Sequence, residues 1–184
     1  MKLRPPTFDL PMMLIVLSFI TSKAEYYRLS DLLRILGLQE STESGAPLCR
    51  WHYEEISIDL MPCDESVLGF SNRWYRPGIA NSIGYQLPSG RQILIFSTPY
   101  LLASKIEAFT SRGGGNFYFS SDIEDIVALL DGRFSLFEEV QQADEEVKAF
   151  VRIQVFDWGI REGMKKSQQW ADRASRKKAI ALLP

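Results

Sequence analysis

Cysteine and histidine are scarce in this chain of 184 residues. Its two cysteines, Cys49 and Cys63, are too few for a disulfide scaffold and form neither a CxxC nor a CxxxC metal-binding pattern. His52 is the only histidine, and the sequence holds no GxSxG or HExxH motif, which disfavours histidine-based hydrolytic chemistry. This cysteine usage fits a reducing, cytoplasmic environment.

Long hydrophobic runs are also lacking. The apolar run at residues 12–20 is far shorter than the roughly 20 apolar residues that a membrane-spanning helix needs, so we expect no membrane association. Two interpretations of this run are open. Lys2 and Arg4 before it are typical of a signal peptide, which would make a secreted protein that loses about its first 24 residues. The partly β-branched stretch 14–17 favours instead a buried β-strand.

A glycine-rich phosphate loop followed by Lys-Ser or Lys-Thr is absent as well. The run Gly113-Gly114-Gly115 lies between two predicted helices, and we interpret it as a connector rather than a phosphate cradle. The sequence therefore gives no motif of a P-loop nucleotide-binding protein.

Acidic and basic side chains are unevenly distributed along the chain. The composition, 46% hydrophobic and 24% charged, is that of a folded globular protein. Residues 1–146 carry 12 basic and 20 acidic side chains, whereas residues 147–184 carry nine basic and three acidic ones. The basic tail indicates either a nucleic-acid-binding segment or a solvated helix end.

Hydrophobic periodicity predicts one early helix, then mainly strands up to residue 96 and helices after it. Tyr26, Leu29, Leu32, Leu33 and Leu36 trace one face of a helix over residues 23–36. Further strands are predicted at 48–53, 56–61, 82–87 and 91–96, and further helices at 98–112, 121–132, 136–155 and 161–182. This order is typical of the α+β class. We expect an α/β core over residues 1–97 and a helical region over 98–184, or one continuous domain.

A few side chains offer the chemistry of a metal and phosphate site. The apolar residues of the strand at 56–61 point one way, so Asp59 lies on the other face. A strand carboxylate is a suitable Mg²⁺ ligand, and a lysine such as Lys105 can neutralise phosphate charge. Asp122 and Asp125 are helical neighbours. The alternatives are a solvent-facing strand aspartate and a lysine that merely reaches water.

An ordered set of segments carries a resemblance to a known family. The segments are 45–51 (GAPLCRW), 56–64 (ISIDLMPCD), 68–75 (LGFSNRWY), 100–109 (YLLASKIEAF) with Arg112, and 122–126 (DIEDI). In this order they resemble the nucleotidyltransferases of the AbiEii/AbiGii toxin type, which belong to the polymerase-β-like superfamily. The resemblance implies a mixed β-sheet with flanking helices and a helical C-terminal part. It implies transfer of a nucleoside monophosphate from an NTP to an RNA or protein acceptor, with Mg²⁺ or Mn²⁺. A role as a toxin of a toxin–antitoxin or phage-defence system, with a cognate antitoxin, is implied as well.

The resemblance also assigns roles to single residues. In such enzymes three carboxylates on neighbouring strands bind two metal ions, which activate the acceptor hydroxyl and stabilise the pyrophosphate leaving group. Asp59 matches the third of these carboxylates and is the expected metal ligand. Lys105 matches the family's helix lysine and, with Arg112, is expected to contact the NTP phosphates. Asp122 and Asp125 match the downstream acidic pair, and we expect them, with Asp59 and Lys105, to be catalytic.

The chain departs from the family at its beginning. The Gly-Gly or Gly-Ser segment and the strand with Asp-x-Asp, which supply the phosphate contact and the first two metal ligands in the family, are absent. Two explanations are open. A one-base frame shift through residues 11–15 spells Asp-Asp-Val-Asp or Asp-Asp-Ala-Asp, with Asp-x-Asp at positions 13 and 15, if both unknown leading bases are G. Alternatively, the chain has lost two ligands, is catalytically impaired, and acts as a non-catalytic nucleotide- or RNA-binding protein.

Overall fold

The computed structural model describes residues 13–18, 20, 22–111 and 120–160. Arg112, the run Gly113–Gly115 and the helix predicted at 161–182 therefore lie outside the described residues. The rest of the chain falls into two compact units, the first ending at Ser71 and the second beginning at Asn72. This division comes earlier in the chain than the boundary expected at residues 97 and 98, because a helix before residue 97 packs against a later helix and Phe96, at the end of the hairpin, packs against the core of the later helices.

The first unit is built on a four-stranded mixed sheet. Its elements are β1 (Met13–Ser18), α1 (Lys23–Ile35), β2 (Gln39–Glu40), β3 (Arg50–Tyr53), β4 (Ile56–Pro62) and α2 (Glu65–Leu68). The strand order is β1-β4-β3-β2. β1 runs parallel to β4, and the other two pairs are antiparallel. The strand interpretation of the apolar run is thus confirmed for Met13–Ser18.

The two faces of this sheet differ in chemistry. On one face, Trp51, Ile58 and Leu60 form a core with α1 residues such as Tyr26 and Leu29. Residues that alternate with these along β3 and β4 lie on the opposite face. That polar face carries Arg50, His52, Ser57 and Asp59.

The buried stripe of α1 is narrower than the sequence predicts. Leu32 and Leu36 are 56% and 68% exposed, although the periodicity placed both in the core. Ser30 is buried instead, and it can be because its hydroxyl donates to the carbonyl of Tyr26 one turn earlier, at 2.9 Å. A 13-residue helix that lies on a small sheet buries only one stripe of its surface. Apolar side chains that lie beyond this stripe stay exposed to solvent.

The second unit is mostly helical and has its own core. Its elements are α3 (Tyr75–Ala80), β5 (Ser82–Gln86), β6 (Gln92–Phe96), α4 (Thr98–Ser111), α5 (Ser121–Gly132), α6 (Leu136–Gln142) and α7 (Glu145–Ile160). β5 and β6 pair as an antiparallel hairpin. The central helix α4 packs against α5, α6 and α7, with Leu102 and Ile106 fully buried between them.

The single helix predicted over residues 136–155 is two helices. The chain is extended at Ala143 (ψ 168°), and α7 begins after Asp144. The Asp144 carboxylate accepts a hydrogen bond from the hydroxyl of Tyr100, at 2.5 Å. A contact to a residue far away in the sequence thus accompanies the interruption, and helical periodicity does not detect such a contact.

The α+β class is confirmed.

No helix among the described residues combines the length and the apolar character needed to cross a membrane.

Candidate functional site

Asp59 forms an ion pair with Arg50 on the polar face of the first unit's sheet. The two residues are Cα partners across β3 and β4. The guanidinium donates from Nε to Oδ1 at 2.8 Å and from Nη2 to Oδ2 at 2.9 Å. The Asp59 side chain is 12% exposed and that of Arg50 is 25% exposed. This bidentate hydrogen bonding, more than any other effect, raises the pKa of the Arg50 guanidinium above its ordinary value.

The residues next to Arg50 and Asp59 are Ser57 and His52 on the same face of the sheet, and Cys49 just before β3. Ser57 Oγ lies 3.3 Å from His52 Nδ1. These two residues are also Cα partners across β3 and β4, two positions along from Arg50 and Asp59. Cys49 precedes β3 and is buried. Burial, followed by the charge of Asp59, raises the pKa of the Cys49 thiol. Because the thiolate is the reactive form, Cys49 is not an activated nucleophile.

The parallel strand β1 completes the neighbourhood of Asp59. Ile15 is the Cα partner of Asp59, and Met13 is the Cα partner of Ser57. Cα-paired positions of neighbouring strands lie on the same face of a sheet. Positions 13 and 15 therefore lie on the polar face, next to the only carboxylate of β4. These are the positions at which the frame-shift hypothesis places Asp-x-Asp.

The described residues around Asp59 do not fit a two-metal centre. Each carboxylate oxygen of Asp59 already accepts a guanidinium N–H of Arg50. Among residues 13–18, 20, 22–111 and 120–160, no three His, Cys, Asp or Glu residues come together as a metal site. Mg²⁺ requires several oxygen ligands with near-octahedral geometry. The expectation that Asp59 is a metal ligand remains a prediction, and in this chain it needs partners that β1 does not supply.

Lys105 forms the centre of a second charged cluster, within the second unit. Its Nζ lies 2.5 Å from Oδ2 of Asp125 and 3.7 Å from Oδ1 of Asp122. Lys105 extends from α4, whereas both aspartates lie on α5, three residues apart and hence on one side of that helix. Packing of α4 on α5 thus brings together three of the four residues expected to be catalytic.

The aromatic residues around Arg73 are a packing cluster. Trp74 is 2% exposed and belongs to the core of the second unit. The Arg73 guanidinium carbon lies 4.4 Å from the ring centre of Phe150 and 5.1 Å from that of Trp74. Its Nε also lies 3.2 Å from a Glu107 carboxylate oxygen. Since the Trp74 ring is enclosed, it offers no surface on which a nucleobase could stack.

A cleft of about 360 Å³ in the second unit, lined by both polar and apolar residues, was not predicted from the sequence. Tyr100 lies at its wall, where its hydroxyl accepts from Asn81 Nδ2 at 3.1 Å and donates to Asp144. Burial, and then the hydrogen bond to Asp144, raise the pKa of Tyr100 to about 12. The phenol is therefore neutral at physiological pH, and its role is that of a hydrogen-bonding group.

Sequence reasoning also missed Arg50, although a signal for it exists. A two-residue turn at Glu54-Glu55 pairs Tyr53 with Ile56, and counting outward from there pairs Arg50 with Asp59. Oppositely charged residues at directly paired strand positions are expected to interact. No comparable signal exists for the Lys105 cluster, because it depends on how two helices pack.

Comparison of this chain with protein-family models, with curated proteins and with solved structures finds no match.

Proposed function

We propose that this chain is a nucleotidyltransferase-type protein, similar to the AbiEii/AbiGii toxins, whose set of catalytic carboxylates is incomplete. In its complete form it transfers a nucleoside monophosphate from an NTP to an RNA or protein acceptor and depends on Mg²⁺ or Mn²⁺. As written, the chain is impaired in this reaction. The proposal extends to a toxin role with a cognate antitoxin, in line with the sequence resemblance.

One observation carries the proposal: the register of β1 against β4. The resemblance requires three carboxylates on neighbouring strands, and the frame-shift hypothesis predicts two of them at positions 13 and 15. β1 pairs directly with β4, and position 15 is the partner of Asp59. A register slip of one residue would have moved both positions to the opposite face. The agreement therefore supports a sheet arranged for three carboxylates, of which this chain keeps one.

The remaining residues take the roles that the resemblance gives them. Asp59 is the retained member of the carboxylate set. Lys105 contacts the NTP phosphates, as a lysine can through its point charge. Asp122 and Asp125 are the downstream acidic pair and are proposed to be catalytic with Asp59 and Lys105; both carboxylates approach the Lys105 ammonium. Arg112 is proposed as a further phosphate contact on the sequence resemblance alone.

The test is to put the two carboxylates back. The double variant Met13→Asp/Ile15→Asp is compared with Met13→Asn/Ile15→Asn, which has nearly the same shape without the charges. Incorporation of labelled nucleotide into RNA and protein acceptors is measured with and without Mg²⁺ or Mn²⁺. We expect the unmodified chain and the Asn variant to stay at background and the Asp variant to gain metal-dependent incorporation. Adding Asp59→Asn to the Asp variant should abolish that gain.

Two outcomes would contradict the proposal. One is a folded Asp variant, checked by circular dichroism, that incorporates no more nucleotide than the Asn variant. The other is a gain that survives Asp59→Asn, because the activity would then not depend on the carboxylate of β4.

A second candidate function follows from the ion pair at Asp59. The guanidinium of Arg50 balances the Asp59 charge in the chain as written, without a metal ion. This favours a non-catalytic protein that binds nucleotide or RNA. Binding of ATP or RNA that is unchanged by removal of divalent cations, with no incorporation by any variant, would support this second candidate over the first.

A further inference from the structure

The two aspartates around Lys105 differ in burial and in distance from the ammonium. Asp122 is enclosed, with its side chain 7% exposed, and its Oδ1 is 3.7 Å from Lys105 Nζ. Asp125 is 52% exposed, and its Oδ2 is in direct contact with the same atom, at 2.5 Å. Lys105 itself is 20% exposed. One lysine is therefore shared between an enclosed and a solvent-accessible carboxylate.

The charges of this cluster oppose the binding of an anion. Two carboxylates lie against the Lys105 ammonium, so a phosphate group that approaches Lys105 meets their negative charge. The direct contact with Asp125 also occupies the ammonium on its solvent side. A phosphate can bind Lys105 well only if one of the carboxylates withdraws from it.

Burial decides which carboxylate withdraws. An exposed ion pair is weak, because water solvates the carboxylate once it is released. A buried carboxylate that loses a counter-ion is left in a medium that solvates it poorly, which is strongly unfavourable. Asp125 can thus exchange for another anion, and Asp122 cannot.

We propose that Asp125 is an exchangeable counter-ion that competes with phosphate for Lys105, while Asp122 is a permanent one that holds the ammonium in place. The ligand class is a polyphosphate, such as the triphosphate of an NTP. This inference rests on the proposed function, which makes Lys105 a phosphate contact, and refines it by making both aspartates positioning residues.

The experiment uses sodium tripolyphosphate as the probe and isothermal titration calorimetry without divalent cations. Asp125→Asn is compared with Glu124→Gln, which removes the same charge from the same turn of α5 but from an exposed residue. We expect Asp125→Asn to bind tripolyphosphate about two- to fivefold more tightly than the unmodified chain, the range that release of an exposed ion pair supplies. Glu124→Gln should change the affinity by less than about 1.5-fold, because a solvated charge that does not touch Lys105 is screened. Lys105→Gln should abolish the gain in the Asp125→Asn background.

A second measurement separates the roles of the two aspartates. Asp122→Asn should lower the melting temperature of the protein, whereas Asp125→Asn should leave it nearly unchanged. The inference is overturned if Asp125→Asn and Glu124→Gln tighten binding equally, if Asp125→Asn does not tighten it, or if the gain persists in Lys105→Gln. Absence of tripolyphosphate binding in every variant overturns it as well.

Failure of this inference and failure of the proposed function are distinguishable. Tripolyphosphate binding needs neither a metal ion nor an acceptor. If Asp125→Asn tightens binding as expected but the Met13→Asp/Ile15→Asp variant incorporates no nucleotide, only the proposed function fails. If that variant incorporates nucleotide but Asp125→Asn binds tripolyphosphate no better, only the exchange role of Asp125 fails.

Discussion

Arg50 and Asp59 are partners twice, through the backbone register of β3 and β4 and through two parallel hydrogen bonds between their side chains. The pair lies in the middle of the sheet, where water has limited access to the carboxylate. It fixes the orientation of Asp59, the one carboxylate of the proposed set of three that this chain keeps.

Removing either member of this pair should destabilise the protein. We expect Asp59→Asn and Arg50→Gln each to lower the free energy of unfolding by about 2–3 kcal/mol, because each leaves a poorly solvated charge without its partner. The double variant should lose less than the sum of the two. Urea denaturation measures all three, with Glu55→Gln in the exposed turn as the control. Additive losses would show that the two side chains do not interact energetically.

The frame-shift hypothesis makes a prediction about one codon. Met12 and Met13 are both encoded by ATG, so the shifted frame reads GAT, an Asp codon, at position 13. Position 15 reads as Asp only if the codon of Leu14 ends in G. We therefore expect CTG or TTG for Leu14, and the nucleotide sequence of the gene decides it. Any other third base gives Asn, Tyr or His at position 15 and removes the hypothesis.

Tyr100 should make the protein less stable in alkali. Its pKa is raised from 10.0 to about 12 in the folded state, so the folded protein holds a phenolic proton that the unfolded chain releases. The resulting stabilisation is complete below pH 10 and is lost as the pH rises through 12. We expect the stability difference between the unmodified chain and Tyr100→Phe to fall by about 2–3 kcal/mol over this range.

Denaturant unfolding at pH 9, 10, 11 and 12 measures the Tyr100 effect. Lysines and the other tyrosines titrate in both proteins, so their contributions cancel in the comparison. Tyr85→Phe, at a half-exposed position, is the matched control and should show no such trend. A difference between the unmodified chain and Tyr100→Phe that stays constant with pH would refute the prediction.

Gly78 should not tolerate alanine. A Cβ at this buried helical position would lie 2.6 to 3.0 Å from three atoms of the Phe96 ring. We expect Gly78→Ala to lower the free energy of unfolding by about 1–3 kcal/mol through overpacking. Gly132→Ala, in open space at the end of α5, should be neutral or stabilising by less than about 1 kcal/mol. Adding Phe96→Leu should recover part of the loss, and thermal unfolding checks all three.

Local patterns were sufficient for the elements of this fold that have clear boundaries. The hairpin of β5 and β6 was predictable because the turn at Pro88-Ser89-Gly90 separates two apolar strands. α4 begins at Thr98, where Pro99 occupies the first turn and favours helix initiation. The break after α6 and the exposure of Leu32 were not predictable, because both depend on contacts between residues distant in sequence.

The candidate site also has features that the sequence predicts and features that it does not. The orientation of Asp59 follows from strand alternation, and its partner Arg50 could be found by counting from the turn. The contact of Lys105 with Asp125 depends on the packing of α4 on α5, which the sequence does not specify. The metal and phosphate roles of Asp59 and Lys105 remain predictions from resemblance.

The parallel pairing of β1 with β4 also sets an order of assembly. β3 and β4 meet across a two-residue turn, whereas β1 must wait until α1, β2 and β3 have been synthesised before its partner exists. Pairing over such a chain separation is slow and comes late. In native-state hydrogen exchange we expect the amides of β1 to open at a lower free energy than those of β4. The strand that holds positions 13 and 15, where the frame-shift hypothesis places Asp-x-Asp, would then be the last to join the sheet and the first to leave it.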